Sequence, residues 1–83
     1  MSGLDHEERS HRFEQELVAL RRRMAEVAAT VADTEEQVAI TLDDVAEHRS
    51  PPDAERLRAR AEEARQAAAR ERRRAVSYLA DSP

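Results

Sequence analysis

The sequence predicts an all-α fold: a two-helix antiparallel coiled-coil hairpin, completed to a helical bundle by dimerisation or by a partner. Three observations carry that prediction. Apolar residues between Phe13 and His48 keep a 3-4 spacing through five repeats, in a stretch without Gly or Pro. Ala, Glu and Arg make up about half of the chain, the composition of long helices. Ser50-Pro51-Pro52 then breaks the pattern once, between two helix-forming stretches. With a single Phe and a single Tyr in 83 residues, a thick globular core cannot be built.

Residues 1–12 read as a frayed helical start. Ser2 or Asp5 can cap it, and Asp5, Glu7 and Glu8 place negative charge at the positive end of the helix dipole. The long heptad helix spans 13–49. With Phe13 at d, Leu17, Met24, Val31, Val38 and Val45 occupy a, while Leu20 and Val27 continue d and Thr34, Thr41 and His48 extend it in polar form. Such a stripe under-winds a helix into a seam that needs a facing helix. Asp33-Thr34 followed by Gln37 resembles a capping box, but the heptad stays in phase on both sides, so one helix is expected. Leu42 falls at e and widens the stripe. Ile40 falls at c, the first place to look for a secondary contact.

The turn is 50–52. Proline drives Ser50 out of the α region and ends the first helix, while Ser50 as N-cap, Pro51 at N1 and Asp53 near the dipole start the next. So short a connection favours antiparallel neighbours. The second helix, 53–79, is Ala/Arg-rich. Ala54, Ala61, Ala68 and Ala75 fall at one seam position, and Leu57, Ala64, Glu71 and Tyr78 at the other. Asp81-Ser82-Pro83 closes the tail, 80–83.

In this reading the large Val, Met and Leu knobs of the first helix meet an alanine floor on the second. Val45 then faces Leu57, Val38 faces Ala64 and Met24 faces Tyr78. Charge supports the pairing: residues 25–55 carry nine acidic residues and one Arg, residues 56–83 four acidic residues and eight Arg. The second helix is too short to cover Phe13, Leu17, Val18 and Leu20. Burying one such side chain is worth about 1.5–3 kcal/mol, so self-association or a partner helix is expected there.

The functional expectation is a non-catalytic protein–protein interaction module: a coiled-coil scaffold, adaptor, assembly chaperone or small regulatory subunit. Phe13, Leu17, Val18, Leu20 and Met24 form its recognition stripe, with Arg21, Arg22 and Arg23 steering. The partner is a second copy, as a homodimer or higher oligomer, or another helix. The alternative is a nucleic-acid-associated accessory protein using the clustered arginines, Arg70, Arg72, Arg73 and Arg74 included. Against it stand a net charge of −4, interleaved Glu26 and Glu71, and the want of stacking aromatics among the arginines.

Other classes find little support. The chain has no Cys, so thiolate chemistry is excluded. His6 and His11 are five residues apart rather than three or four, and His48 is remote, so no metal site is expected. A hairpin offers no cleft to perturb its carboxylates, and a single Gly makes no phosphate loop; neither an enzyme nor a cofactor is expected. No apolar run is long enough to span a membrane, and the acidic N-terminus has no signal-peptide core. The expected location is cytoplasmic. The absence of Lys beside abundant Arg and Ala suits a GC-rich bacterial source.

Overall fold

The computed structural model describes residues 2–80, with side chains described from Asp5 onward. Two helices account for it: α1, Ser2–Ala46, and α2, Pro51–Ala80. No boundary falls at residue 12 or at Asp33-Thr34, so α1 runs unbroken for 45 residues, about 68 Å at 1.5 Å per residue. Thr34 satisfies its hydroxyl by donating to the Thr30 carbonyl at 3.1 Å, within the helix rather than as a cap. The tail residues 81–83 and a Ser2 side-chain cap lie outside the described residues.

The reversal needs no residue with positive φ. Glu47 N donates to Asp43 O at 3.2 Å in the α pattern. His48 N to Val45 O (3.0 Å) and Arg49 N to Ala46 O (3.2 Å) then tighten the last turn into i→i+3 bonds. Regular α1 thus stops at Ala46, three residues short of the expected Arg49. His48 Nδ1 lies 3.0 Å from the Asp44 carbonyl and covers one of the orphan acceptors of the helix end. Ala54 N donates to Ser50 O at 2.8 Å, the first bond of α2. Ser50 is therefore the N-cap residue and Pro51 sits at N1, where its missing N–H costs nothing.

The two helices lie side by side in a backbone envelope of 75 × 14 × 11 Å. A helix backbone has a radius of about 2.3 Å, so a 14 Å width leaves at most about 9 Å between the axes. Alanine makes this closeness possible. Every buried side chain among the described residues is Ala: Ala25, Ala28, Ala32, Ala39 and Ala46 from α1, with Ala54, Ala61, Ala64 and Ala68 from α2. Ala32 and Ala61 are 0% exposed. Leu42 packs against the cluster of Ala39, Ala61 and Ala64 and is the large apolar contribution to it.

The seam of α2 is the expected one, with Ala54, Ala61, Ala64 and Ala68 buried and Leu57, Glu71, Ala75 and Tyr78 half-buried. That of α1 is not. The residues turned toward α2 are Val18, Arg21, Ala25, Ala28, Ala32, Glu35, Ala39, Leu42 and Ala46, all buried or half-buried. They form a second heptad, one residue out of step with the Leu17-to-Val45 series. The knobs-on-alanine packing is therefore corrected: helix 1 is rotated by about 100° and lays its own alanines on those of α2. Val38 does not face Ala64; Ala39 does.

Two physical reasons favour this rotation. Small residues on both sides let the backbones approach, whereas Val or Met against Ala would hold the axes apart. Ion pairs along one flank also fix the angle. Asp43 pairs with Arg65, Glu36 with Arg72, and Asp33 with Arg72 at 3.2 Å. These carboxylates would swing away from α2 if the Val stripe turned inward. Each exposed pair supplies little stability, but together they select rotation and register.

Candidate functional site

Rotating alanine inward turns the bulky stripe of α1 outward. Phe13 is 65% exposed, Leu20 50% and Val27 63%; Met24, Val31 and Val38 are also exposed. Leu17 and Val45 are half-buried. The uncovered surface therefore runs along most of α1 and is not confined to the overhang beyond α2. Such a contiguous row is unlike the scattered apolar residues of an ordinary surface.

Shallow grooves follow this flank. Near the open end of the hairpin, Leu20, Met24 and Val27 of α1 face Glu71, Arg74 and Tyr78 of α2 across one of them. Met24 and Tyr78 are thus neighbours there, although neither is a seam-centre pair. Thr34, Gln37, Val38, Thr41 and Leu42 line another groove. At the turn Val45 and Leu57 share a groove with Arg49, Asp53, Arg56 and Arg60. On the overhang, Val18 and Ala19 lie with His11, Gln15 and Arg22.

The expected recognition residues divide between two faces. Phe13, Leu20 and Met24 belong to the outward stripe, with Leu17 at its edge. Val18 and Arg21 belong to the inward heptad, where both are half-buried at the end of the region that α2 covers. Arg21 Nη1 is buried with no hydrogen-bond partner among the described residues. Arg22 and Arg23 are exposed and make no ion pair within the described residues. Ile40 is 51% exposed, and its helical neighbours Glu36, Gln37, Asp43 and Asp44 are polar, so it stands alone on an acidic surface. Sequence reasoning missed Val27, Val31 and Val38 as surface residues, because it assigned them to the seam. The signal was the alanine series 25, 28, 32, 39 and 46, which keeps heptad spacing as faithfully as the valines do.

The second arginine run is only partly available. Arg72 is turned to Asp33 and Glu36 of α1, and Arg74 donates to Glu71 at 2.7 Å. The hydrogen bond to Glu36 holds the Arg72 guanidinium above its ordinary pKa, and the nearby charge of Asp33 adds to this. Arg70 and Arg73 make no ion pair among the described residues. Among the described residues no three metal-ligating side chains come together. His11 Nε2 and Gln15 Nε2 lie 3.2 Å apart one turn along the helix. No described helix is long and apolar enough to cross a membrane.

Fold and surface define an all-α helical hairpin with one uncovered apolar face. Comparison with protein-family models, with curated proteins and with solved structures finds no match.

Proposed function

We propose that this chain is a non-catalytic protein–protein interaction module, serving as a scaffold, adaptor, assembly chaperone or small regulatory subunit through the apolar stripe of α1. One observation carries the reading: Phe13, Leu20, Met24, Val27, Val31 and Val38 keep coiled-coil spacing yet remain exposed. A helix with two heptads has two faces to pack, and α2 occupies one of them. Arg23, which lines a groove with Leu20, Met24 and Val27, lies beside the open one and is placed to steer an acidic approach.

The test is co-purification of the native protein with identification of what accompanies it, repeated with Leu20→Glu/Val27→Glu. A partner lost from the variant supports the stripe. A partner retained by a helical variant overturns it.

A second reading rests on the open half of the hairpin, where Arg21, Arg22, Arg23, Arg70 and Arg73 have no carboxylate partner among the described residues. It makes the chain a nucleic-acid-associated accessory protein. Counterion release would then weaken binding steeply between low and physiological salt, whereas apolar helix pairing responds little.

A further inference from the structure

The stripe leaves open what covers it, and the distribution of charge along the hairpin bears on that. The helices align Ala39 with Ala61 and Ala64, and Asp33 and Glu36 with Arg72. Residues 20–32 of α1 therefore lie beside 68–80 of α2, and residues 33–46 beside the first half of α2. The open half, 20–32 with 68–80, holds seven Arg and two Glu, a net +5. The turn half, 33–67, holds ten acidic residues and five Arg, a net −5. Between residues 20 and 80 the hairpin is an axial dipole that changes sign between Ala32 and Asp33, and the overhang 5–19, with five acidic residues and two Arg, is a net −3.

We infer that the occupant of the stripe is a second copy of this chain, packed antiparallel with α1 against α1 to form a four-helix bundle. This rests on the stripe being a docking face. A two-fold axis through the sign change lays the positive half of each copy on the negative half of the other. A parallel pair would stack like on like. The interface is isologous, so each contact occurs twice.

Register follows from the same residues. Antiparallel packing about this axis sets Leu20 opposite Val45 of the second copy and Val27 opposite Val38, while Met24 falls opposite Thr41 and Val31 opposite Thr34. It brings Arg23 to Asp44 and Glu14 to Arg49, none of which has an ion-pair partner among the described residues of its own chain. Sliding by one heptad in one direction sets Glu16 against Asp44. Sliding in the other carries Arg23 to Pro51, beyond the end of α1, and gives up its pairing with Asp44. Of these three registers the central one alone joins Arg23 to Asp44.

Three measurements test this. Sedimentation equilibrium at a few hundred micromolar should give a dimer, and a strict monomer overturns the second copy while leaving the docking face to its own co-purification test. The chain lacks Cys, so Glu47→Cys can carry the one spin label per copy. The antiparallel dimer places the labels about 45 Å apart, from the 1.5 Å rise per residue; a separation near 20 Å means a parallel pair and overturns the orientation. Arg23→Glu or Asp44→Arg alone should weaken dimerisation by roughly fivefold, and the double variant should restore it. Failure of the double variant to recover overturns the register. A dimer untouched by Leu20→Glu/Val27→Glu overturns this inference and the interaction stripe together.

Discussion

Arg72 Nη2 donates to Asp33 Oδ1 at 3.2 Å, joining side chains 39 residues apart, and the same guanidinium also bonds Glu36. A single arginine thus holds two carboxylates one turn apart on the facing helix. That fork sets the rotation of α1, and the rotation decides which of its two stripes is buried.

The alanine seam makes a sharp prediction about size. Ala32→Leu or Ala61→Leu inserts three extra carbons where the axes are closest and should destabilise the hairpin by about 1–3 kcal/mol in urea unfolding. Val31→Leu, one residue away and exposed, should change it by less than about 0.5 kcal/mol. The opposite ranking would mean that the valines face α2.

Removing the cross-helix fork should matter modestly and in a salt-dependent way. Arg72→Ala should lower the melting temperature slightly at low salt, with the loss shrinking as salt is added. The sign of the pH dependence follows from the raised Arg72 pKa. Its contribution is fully present near neutral pH, where the partner carboxylates are charged, and is lost as pH climbs through the raised value. Between wild type and Arg72→Gln, the titration of residue 72 itself should add no difference in stability near neutrality.

The turn is held by preset backbone angles rather than by glycine. Pro51→Ala should cost about 0.5–1 kcal/mol, because the unfolded chain regains freedom that proline had removed. Helical content by circular dichroism should stay nearly constant, since Pro51 gave no N–H to the helix. A large loss of helix would show that the proline does more than shape the reversal.

Self-association by the stripe links stability to concentration. The melting temperature should rise with protein concentration, because binding restricted to the folded state adds to its stability. For Leu20→Glu/Val27→Glu it should become independent of concentration while the far-ultraviolet spectrum remains helical. A wild-type melting temperature that does not move over a hundredfold range would count against association through this face.

Much of this architecture is written locally. Ser50-Pro51-Pro52 places the turn, the acidic run through Asp33, Glu36 and Asp43 announces the arginine-bearing partner helix, and the Ala54-Ala61-Ala68 period marks the face of α2. Val31 and Ala32 show where such reading ends. Both sit in unbroken heptads on the same helix, one residue apart, and hydrophobicity alone favours the valine. The exposed apolar stripe is legible at Phe13, Leu20 and Met24 from size and spacing, but Val27, Val31 and Val38 read as seam residues and extend it further.

By itself, then, the sequence determined two long helices, the place of the reversal and the inward face of α2, since these follow from proline geometry, helix propensity and a single unambiguous period. Only the tertiary structure decided which of the two α1 stripes turns inward. That choice depends on how closely two alanine faces can bring the backbones together and on carboxylates reaching arginines across the pair, and neither exists until both helices are in place.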